Sequence, residues 1–509
     1  RLVYIIVFAL GLTACYDDKG SYDYHDICEV NIEGVESVYE TVYRESVLEI
    51  DPTVTVTEGN IGDTTRFAYE WRANVAYNST ELIGTERILN YRVELAPRDY
   101  TLYFRVTDRQ TGVVTVATST LKVGTAYSKG ILLIGENTQG EVDVQMLSMV
   151  KDTVLYKELL KNSGLPVLKN PVDIIHTGAA GNSNYIKLWV LTGSQAYSMD
   201  RKTFAGSESD VFGKLLFMDR TFDTEFVPVD IIPRVKDKAG KNGGSSYCRT
   251  VVCNNGYIFN ASTLLMGGDY YNNPVNCLTS DQNTYYKAFP YLFYTLNSYS
   301  GGFLWFDVEN RRFLTVKNSI AVSDLLEDQA GDPFPWNQGT TGRTLVYGEN
   351  TLDVGSSNGN SFAILKDPAG AYYLYKFRAV GSGPTKLNCY TIGAGAVDFD
   401  KADFYAFSSR RTVVYYAVGV TLHAYDYNKG NERHYTFDMG DPITMLYCDT
   451  AIEPNANPLY VATYNATTGG KLQKYIQGVN PDKVELEADE KSCWEGLMKI
   501  KKMSWRAVE

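Results

Sequence analysis

The sequence has few of the features that mark metal centres, membrane helices and nucleic-acid binding surfaces. Its 509 residues include four histidines and eight cysteines, and its longest apolar run, Leu2 to Ala14, has 13 residues. A membrane-spanning helix needs about 20 apolar residues. Lysine and arginine are scattered along the chain, and the formal net charge is −12. These features exclude nucleic acid as a partner, because neutralising phosphates takes a basic patch.

Catalytic signatures are missing as well. The sequence has no H-E-x-x-H, G-x-S-x-G, P-loop or strand-following G-x-G-x-x-G phrase. His423 and His434 flank one hairpin turn and are expected to face each other, but two histidines without a third ligand do not make a zinc site. Cys248 and Cys253 are typical core residues. We therefore predict no catalytic residue, no metal and no cofactor. A carboxylate pair formed only by folding stays open, because no local pattern shows it.

What the sequence does contain favours β-structure. Tyrosine outnumbers phenylalanine by 39 to 21, and hydrophobic residues make up 44% of the chain. Tyrosine is enriched in strands and also supplies flat contact area at surfaces. The hydrophobic content is sufficient for a sizeable core, and 509 residues are too many for one core. We expect an all-β protein of two or more domains.

The opening residues have the form of a secretory signal followed by a lipid attachment point. A short apolar segment that ends in small residues is typical of a signal peptide. "LTAC", residues 12–15, resembles a bacterial lipobox, in which the cysteine is acylated and becomes the first residue of the mature lipoprotein. The resemblance implies that residues 1–14 are the signal, that Cys15 carries the lipid and that residues 15–29 form a tether.

Two acidic residues follow this cysteine. Asp17 and Asp18 in "CYDDKG" resemble the acidic export signal that sends Bacteroidetes lipoproteins to the outer leaflet of the outer membrane. The alternative is a solvated acidic linker. The export signal would place the protein at the outer membrane, lipid-anchored and facing the cell exterior.

Residues 30–125 predict an immunoglobulin-like β-sandwich. Short alternating strands follow one another, among them "RFAYEWRA" with Trp71 and "DYTLYFRVTDRQTG" from Asp99. About seven such strands in a hundred residues, one of them with a tryptophan, suit this fold. "FAYEW" and "YTLYFRVTD" also resemble phrases of PKD-type domains. We assign Trp71 to the core and not to a ligand.

Residues 126–509 predict a β-propeller. A hairpin phrase of the form aromatic–x–aromatic–turn–basic recurs, for instance from Phe303, Tyr372 and Thr421, and most copies follow an apolar strand. Such repeated units are typical of propeller blades. We favour seven blades, with eight as the alternative number. A blurred copy of the phrase lies near residues 250–265, and "SWRAVE", residues 504–509, is expected to be the strand that closes the ring. Two further β-sandwiches are the alternative. Residues 152–164 and 323–331 are expected to form short helices.

The order of these parts resembles that of the PKD-like family lipoproteins of the Bacteroidetes. The most specific phrases are "CYDDKGSYDYHDI" and "YTLYFRVTD". Such lipoproteins are commonly encoded beside SusC-like TonB-dependent transporters and SusD-like lipoproteins. The resemblance implies an accessory surface component of a nutrient-uptake complex, which captures oligopeptides or glycans near the transporter. It supplies no catalytic motif.

Three loops supply candidate ligand-binding residues, because they carry aromatic and amide side chains outside the predicted strands. Rigid loops of this composition hold sugars and peptides in many proteins. The alternative is that these loops pack onto the propeller. The candidates are Tyr270, Tyr271, Asn272, Asn273, Tyr285, Tyr286, Phe334, Trp336 and Asn337.

The sequence leaves three functional hypotheses. The first is a non-enzymatic surface lipoprotein that captures oligopeptides or oligosaccharides for a SusC/SusD-like importer. The second is a propeller hydrolase or lyase that acts on surface polymers, which would need a carboxylate pair in a central pocket. The third is an adhesion or structural module.

Overall fold

The computed structural model describes residues 28–150, 152–177, 187–243, 247–262, 265, 270–353 and 356–508. They belong to two units, one ending at Val123 and one beginning at Gly124. The elements with defined bounds are β-strands and two 3-10 turns, Phe212–Leu215 and Phe399–Lys401. The predicted fold class, a β-sandwich followed by a β-propeller, is confirmed. Cys15, Asp17 and Asp18 lie outside the described residues.

Within the described ranges, no helix is both long enough and apolar enough to cross a bilayer.

Nine strands are found between residue 28 and the end of the first unit. They are β1 Val30–Glu33, β2 Val38–Val42, β3 Val47–Ile50, β4 Thr53–Val56, β5 Phe67–Ala76, β6 Ser79–Gly84, β7 Leu89–Arg92, β8 Arg98–Asp108 and β9 Val114–Gly124. One sheet has five strands in the order β2-β9-β8-β5-β6, and the pairs β1-β4 and β3-β7 provide the other strands of the sandwich. One apolar cluster with members from both sides fills the interior.

Trp71 lies in that interior, as predicted. Its side chain is fully buried and stacks on Phe104 with ring centroids 4.3 Å apart. The indole Nε1 donates a hydrogen bond to the carbonyl of Glu86 at 3.1 Å, so the buried polar atom is satisfied. Asp108, at the end of "YTLYFRVTD", is also buried and pairs with Arg66 at 3.0 Å. The hydrogen bond from Arg66 lowers the pKa of Asp108 below its usual range.

In its described residues the second unit contains seven sheets that follow one another along the chain as blades 1 to 7, and their strands pair antiparallel except for one contact in blade 4. Blade 1 contains β10 Lys129–Glu136, β11 Val142–Ser148 and β12 Val154–Tyr156. Blade 2 contains β13 Pro171–His176, β14 Leu188–Thr192 and β15 Ala196–Met199. Blade 3 contains β16 Pro228–Ile232, β17 Cys248–Cys253 and β18 Ile258–Ser262. Blade 4 comprises β19 Cys277–Leu278, β20 Asp281–Tyr285, β21 Phe303–Asp307, β22 Arg312–Val316 and β23 Ser323–Leu325, with a single parallel contact between β19 and β23.

Blades 5 to 7 each have four consecutive strands. Blade 5 contains β24 Thr344–Thr351, β25 Asn360–Lys366, β26 Tyr372–Arg378 and β27 Thr385–Thr391. Blade 6 contains β28 Phe404–Phe407, β29 Val413–Val418, β30 Thr421–Asp426 and β31 Arg433–Asp438. Blade 7 contains β32 Ile443–Cys448, β33 Leu459–Asn465, β34 Gly469–Gln477 and β35 Leu486–Leu497. The last strand, β36 Lys499–Ala507, returns to blade 1 and pairs with β10.

Seven apolar clusters join each blade to the next and the seventh to the first. In the closing cluster, Leu133 of β10 and Trp505 of β36 pack with Leu472 of β34. The ring is therefore complete, and its last strand is the one predicted from "SWRAVE". The blurred copy near residue 250 is also confirmed, since it forms β17 and β18.

A hairpin that follows β16 also contacts β36. Val235 and Asn242 form its bridge, and the carbonyl of Lys238 accepts a hydrogen bond from Trp505 Nε1 at 3.1 Å. Gly240 has a φ of +77°, and a Cβ added there would lie 2.1 Å from the carbonyl oxygen of Ala507. Only glycine permits this close approach. The hairpin thus reaches from blade 3 to the closing strand of blade 1.

The two helices predicted from the sequence are wrong. Residues 152–164 contain the strand β12, which pairs with β11, and residues 323–331 begin with the strand β23, which pairs with β22. Both segments lie beside a strand whose backbone donors and acceptors would otherwise be unpaired. Pairing with that strand outweighs the local helix preference of the leucine and lysine residues.

Candidate functional site

Three of the predicted ligand-binding residues lie in the core. Tyr271, Phe334 and Trp336 are 0%, 2% and 4% exposed. Tyr271 packs on Phe212 between blades 2 and 3, and Phe334 stacks on Tyr375 with ring centroids 4.1 Å apart between blades 4 and 5. The prediction that these three side chains contact a ligand is therefore wrong, because no face of them is open to one.

The proline-rich segment around Trp336 explains this burial. The carbonyl of Trp336 accepts a hydrogen bond from the Phe313 amide at 3.0 Å, so the segment covers the start of β22, which β23 leaves unpaired. The backbone amide of Trp336 donates a hydrogen bond to Asp328 Oδ1 at 2.5 Å. Asn337 is exposed and forms a turn, in which its Oδ1 accepts from the Gly339 amide at 2.9 Å. This loop closes the gap between two blades.

Two further candidates do not belong to the described lining of the cavity that lies between blades 3 and 4. Tyr270 is 38% exposed and meets the exposed Phe217 edge to face at 5.0 Å. Tyr286 is half-buried, and the guanidinium of Arg312 lies 4.8 Å from its ring centroid.

The remaining candidates come together in a cavity of about 220 Å³ between blades 3 and 4. Asn272, Asn273 and Tyr285 line it, together with residues of β18 and of the loops around it. Tyr285 is the last residue of β20, so its predicted position in a loop is wrong. The full lining consists of one arginine, amides, hydroxyls and apolar side chains: Arg220, Asn260, Ser262, Leu265, Asn272, Asn273, Pro274, Val275, Cys277, Gln282, Tyr285, Ser319, Ile320 and Val322.

Two asparagines of the cavity are fixed by neighbours and each has an unused polar atom. Asn260 is buried in β18 and accepts a hydrogen bond from Thr250 Oγ1 at 2.6 Å. Asn273 donates from Nδ2 to Asp219 Oδ1 at 2.5 Å. Asn260 Nδ2 and Asn273 Oδ1 have no hydrogen-bond partner. Such groups typically cost about 1–3 kcal/mol, which a bound water or ligand can offset.

Arg220 and Tyr285 also line the cavity. Arg220 Nη1 donates to the carbonyl of Gln282 at 2.8 Å and to Asn283 Oδ1 at 3.2 Å. The Tyr285 ring is held edge-on by Phe222 at 5.4 Å. Burial raises the pKa of Tyr285, and the charge of Arg220 acts in the opposite direction. The phenol therefore stays neutral near pH 7 and acts as a hydrogen-bonding group.

The cavity has the chemistry of a binding site. Among the described lining residues Arg220 is the only charged one, and none is a carboxylate or histidine. Proton transfer near pH 7 takes a group whose pKa lies close to it, whereas amides, serines and a neutral phenol offer fixed donors and acceptors. The arrangement can hold a polar ligand in one orientation.

Elsewhere, His423 and His434 meet as predicted, with Nδ1 and Nε2 2.9 Å apart. His423 stacks on Tyr416 at 4.6 Å. Burial lowers the pKa of both imidazoles, and for His423 the neighbouring His434 adds to the effect. The pair is therefore neutral at pH 7 and shares one hydrogen bond. Within the described ranges no group of three or more His, Cys, Asp or Glu side chains is placed to hold a metal ion.

The first strands of neighbouring blades are joined by ionisable side chains. Arg234 Nη2 lies 2.7 Å from Asp173 of β13 and 2.6 Å from Asp230 of β16. Glu349 of β24 accepts hydrogen bonds through Oε2 from Tyr347 and from the Phe407 amide of β28, both at 3.0 Å. Burial raises the pKa of Glu349 to about 8. These contacts link blade 2 to blade 3 and blade 5 to blade 6.

Sequence reasoning missed two important residues of the cavity. Arg220 is a single arginine in "FMDRTFD", 62 residues before the Gln282 carbonyl that anchors it. No local pattern marks such a contact. Asn260 did carry a signal, because it interrupts the apolar strand "IFNAS", and a buried amide inside a strand needs partners.

The PKD-like family model matches residues 15–170. This range takes in the whole sandwich and strands β10 to β12 of blade 1, and it covers less than half of the chain. The PKD-like character predicted for the N-terminal part is confirmed. No curated protein matches the chain.

Solved structures resemble the chain at low identity. A quinonprotein alcohol dehydrogenase-like protein from Bacteroides thetaiotaomicron is 11% identical, with 95% of this chain and 100% of that chain covered and a TM-score of 0.36. AztD from Citrobacter koseri is 12% identical, with 87% and 100% covered and a TM-score of 0.30. PorZ, a surface component of the type-IX secretion system of Porphyromonas gingivalis, is 12% identical, with 79% and 55% covered and a TM-score of 0.23. Likenesses of this degree carry no argument about activity or ligand.

Proposed function

We propose that this chain is a lipid-anchored protein of the outer-membrane surface that captures oligosaccharides or oligopeptides without converting them. In this proposal it acts as an accessory of a SusC-like TonB-dependent transporter and a SusD-like lipoprotein. The cavity between blades 3 and 4 is the capture site. The proposal follows the resemblance to the PKD-like family lipoproteins for its location and partners, and the cavity for its chemistry.

The cavity is the observation that carries the capture role. It brings Asn272, Asn273 and Tyr285 together with Arg220 and Asn260, which gives amide, phenol and guanidinium groups on several sides. Its volume of about 220 Å³ lies below the roughly 300–1,000 Å³ of sites that enclose a drug-sized ligand. We infer that it holds one unit of an oligomer while the rest of the ligand stays outside.

The lipid anchor gives a first test. Replacing Cys15 by alanine removes the acyl acceptor, so we expect the protein to move from the membrane fraction to the soluble fraction, because the buried acyl chains provide the anchor. The measurement is immunoblotting of fractionated cells. The control is Asp17→Asn with Asp18→Asn, which should stay in the membrane but lose its sensitivity to protease added to intact cells. Membrane retention of Cys15→Ala would refute the anchor.

The partners are tested by affinity purification from outer membranes solubilised in mild detergent. We expect the tagged protein to recover a TonB-dependent transporter together with a SusD-like lipoprotein, identified by mass spectrometry. The control is an unrelated surface lipoprotein with the same tag and signal. Repeated recovery of the tagged protein without a transporter would overturn the accessory role.

A further inference from the structure

We propose that the unit held in the cavity between blades 3 and 4 bears a carboxylate, which Arg220 binds. The inference rests on the proposed capture function and names the chemical class of its ligand. Two sources offer this chemistry: a uronic acid residue of an acidic oligosaccharide and the C-terminal carboxylate of an oligopeptide.

The charge distribution around the cavity supports an anionic ligand. Arg220 is the single charged residue among the described lining residues of a protein with net charge −12. A cation surrounded by amides and hydroxyls attracts a carboxylate and gives no such advantage to a neutral ligand. Because the rest of the chain is negatively charged, it repels a ligand with many negative charges. A single arginine therefore favours a ligand with one carboxylate at the position of the cavity.

The geometry of Arg220 leaves part of its guanidinium for a ligand. The guanidinium forms a hydrogen bond with the Tyr285 side chain. Its bonds to Gln282 and Asn283 both use Nη1, whereas a guanidinium has five N–H donors in a fixed fork. These two bonds hold the side chain in place, and 40% of it remains exposed. Arginine held in this way suits bidentate binding of a carboxylate.

Asp219 does not neutralise this arginine. Its nearest oxygen lies 3.9 Å from Arg220 Nε, beyond hydrogen-bond distance, and its side chain is 78% exposed. The same oxygen accepts the Asn273 Nδ2 donor at 2.5 Å. An exposed pair of this kind contributes little, so a ligand carboxylate in the cavity meets an arginine whose charge is still available. Asp219 instead orients Asn273, whose Oδ1 has no partner.

The neighbouring groups complete a site for one sugar or amino-acid unit. The lining includes Asn273, whose buried Oδ1 has no hydrogen-bond partner, and Asn260, whose buried Nδ2 has none. Ile320 and Leu265 are 76% and 69% exposed beside them and offer apolar contact to a ring or side chain. A carboxylate with adjacent donors and an apolar edge matches these groups better than a neutral polyol does.

The test is calorimetric titration of the purified full chain with four probes. The probes are trigalacturonic acid, its methyl ester, trialanine and trialanine amide, so each source is represented with and without its carboxylate. We expect one of the acids to bind at least tenfold more tightly than its neutral partner. Arg220→Gln should remove this difference, and Arg220→Lys should retain part of it. The matched control is Arg410→Gln, an exposed arginine beside a different cavity between blades 6 and 7, which should leave binding unchanged.

The outcomes separate the inference from the proposed function. Binding of an acid and its neutral partner with equal affinity, or equal affinity of Arg220→Gln and the unmodified chain for the acid, would overturn the carboxylate inference while the capture role stands. Failure of the unmodified chain to bind any of the four probes would count against both. Preference for trigalacturonic acid identifies an acidic glycan as the source, and preference for trialanine identifies a peptide C-terminus.

Discussion

A chain that ends at Met498 is expected to lose the folded propeller, because it lacks β36. This strand supplies blade 1 with the partner of β10 along its whole length, and its Ile500, Met503 and Trp505 are 1%, 6% and 4% exposed. Burying each such side chain contributes about 1.5–3 kcal/mol. The sum is comparable to the roughly 5–15 kcal/mol by which a whole domain is stable. The shortened chain should therefore show no cooperative thermal transition of the propeller and a larger hydrodynamic radius by gel filtration.

Two single tryptophan substitutions distinguish the loss of ring closure from a general loss of buried apolar surface. Trp505→Ala should lower the free energy of unfolding by about 3–5 kcal/mol, as expected for a buried tryptophan. Trp494→Ala changes a half-buried tryptophan of the outer strand β35 and should cost about 1 kcal/mol. Both are measured by urea unfolding. A chain ending at Met498 that melts within a few degrees of the full chain would show that the ring does not depend on β36.

The middle strands of the blades could be predicted from the sequence because their pattern is local. "SFAILKD" and "RTVVYYAVG" are apolar on both faces, and both became buried strands, β25 and β29. Each is followed by a turn and a second strand, which gives the recurring phrase. The segment "YLFYTL", which precedes β21 in blade 4, is also apolar but forms no continuous strand. Its Phe293 makes only an isolated bridge with Leu304.

The candidate site could be predicted only in part, because an aromatic residue in a loop can have either of two roles. An aromatic residue between glycines and prolines is compatible both with a ligand surface and with a plug between blades. Asn272, Asn273 and Tyr285 line the cavity, whereas Phe334 and Trp336 fill an interface. The difference is set by whether a neighbouring strand has a free edge for the loop to cover. That information lies in the tertiary structure and not in the loop itself.

Replacing Arg234 by methionine is the second change expected to have a large effect. Asp173 and Asp230 are only 4% and 8% exposed, and both contact Arg234 Nη2. Without the guanidinium, two buried carboxylates face each other unpaired. Removing one partner of a fully buried ion pair costs about 3–5 kcal/mol. Since the Arg234 side chain is 35% exposed, solvent offsets part of the loss, and we expect a decrease of about 2–4 kcal/mol in the free energy of unfolding.

The controls test whether the effect comes from unpaired charge. Lys161→Met breaks a pair with Glu158 in which both side chains are 65% exposed, and it should have little measurable effect. The triple variant Arg234→Met, Asp173→Asn and Asp230→Asn removes all three charges and should recover more than half of the lost stability. A triple variant as unstable as Arg234→Met alone would show that packing of the arginine, and not its charge, holds blades 2 and 3 together.

The same triple variant bears on function. A hydrolase at the first strands of the blades would need a carboxylic acid that is free to donate its proton and a second carboxylate that is free to act as base. Asp173 and Asp230 are instead both bound to one guanidinium. If they serve the fold alone, the folded triple variant binds its ligand in the cavity between blades 3 and 4 with unchanged affinity. If the variant regains its stability but loses binding, the ligand binds at Arg234, Asp173 and Asp230. The proposed capture site would then be at Arg234 and not at Arg220.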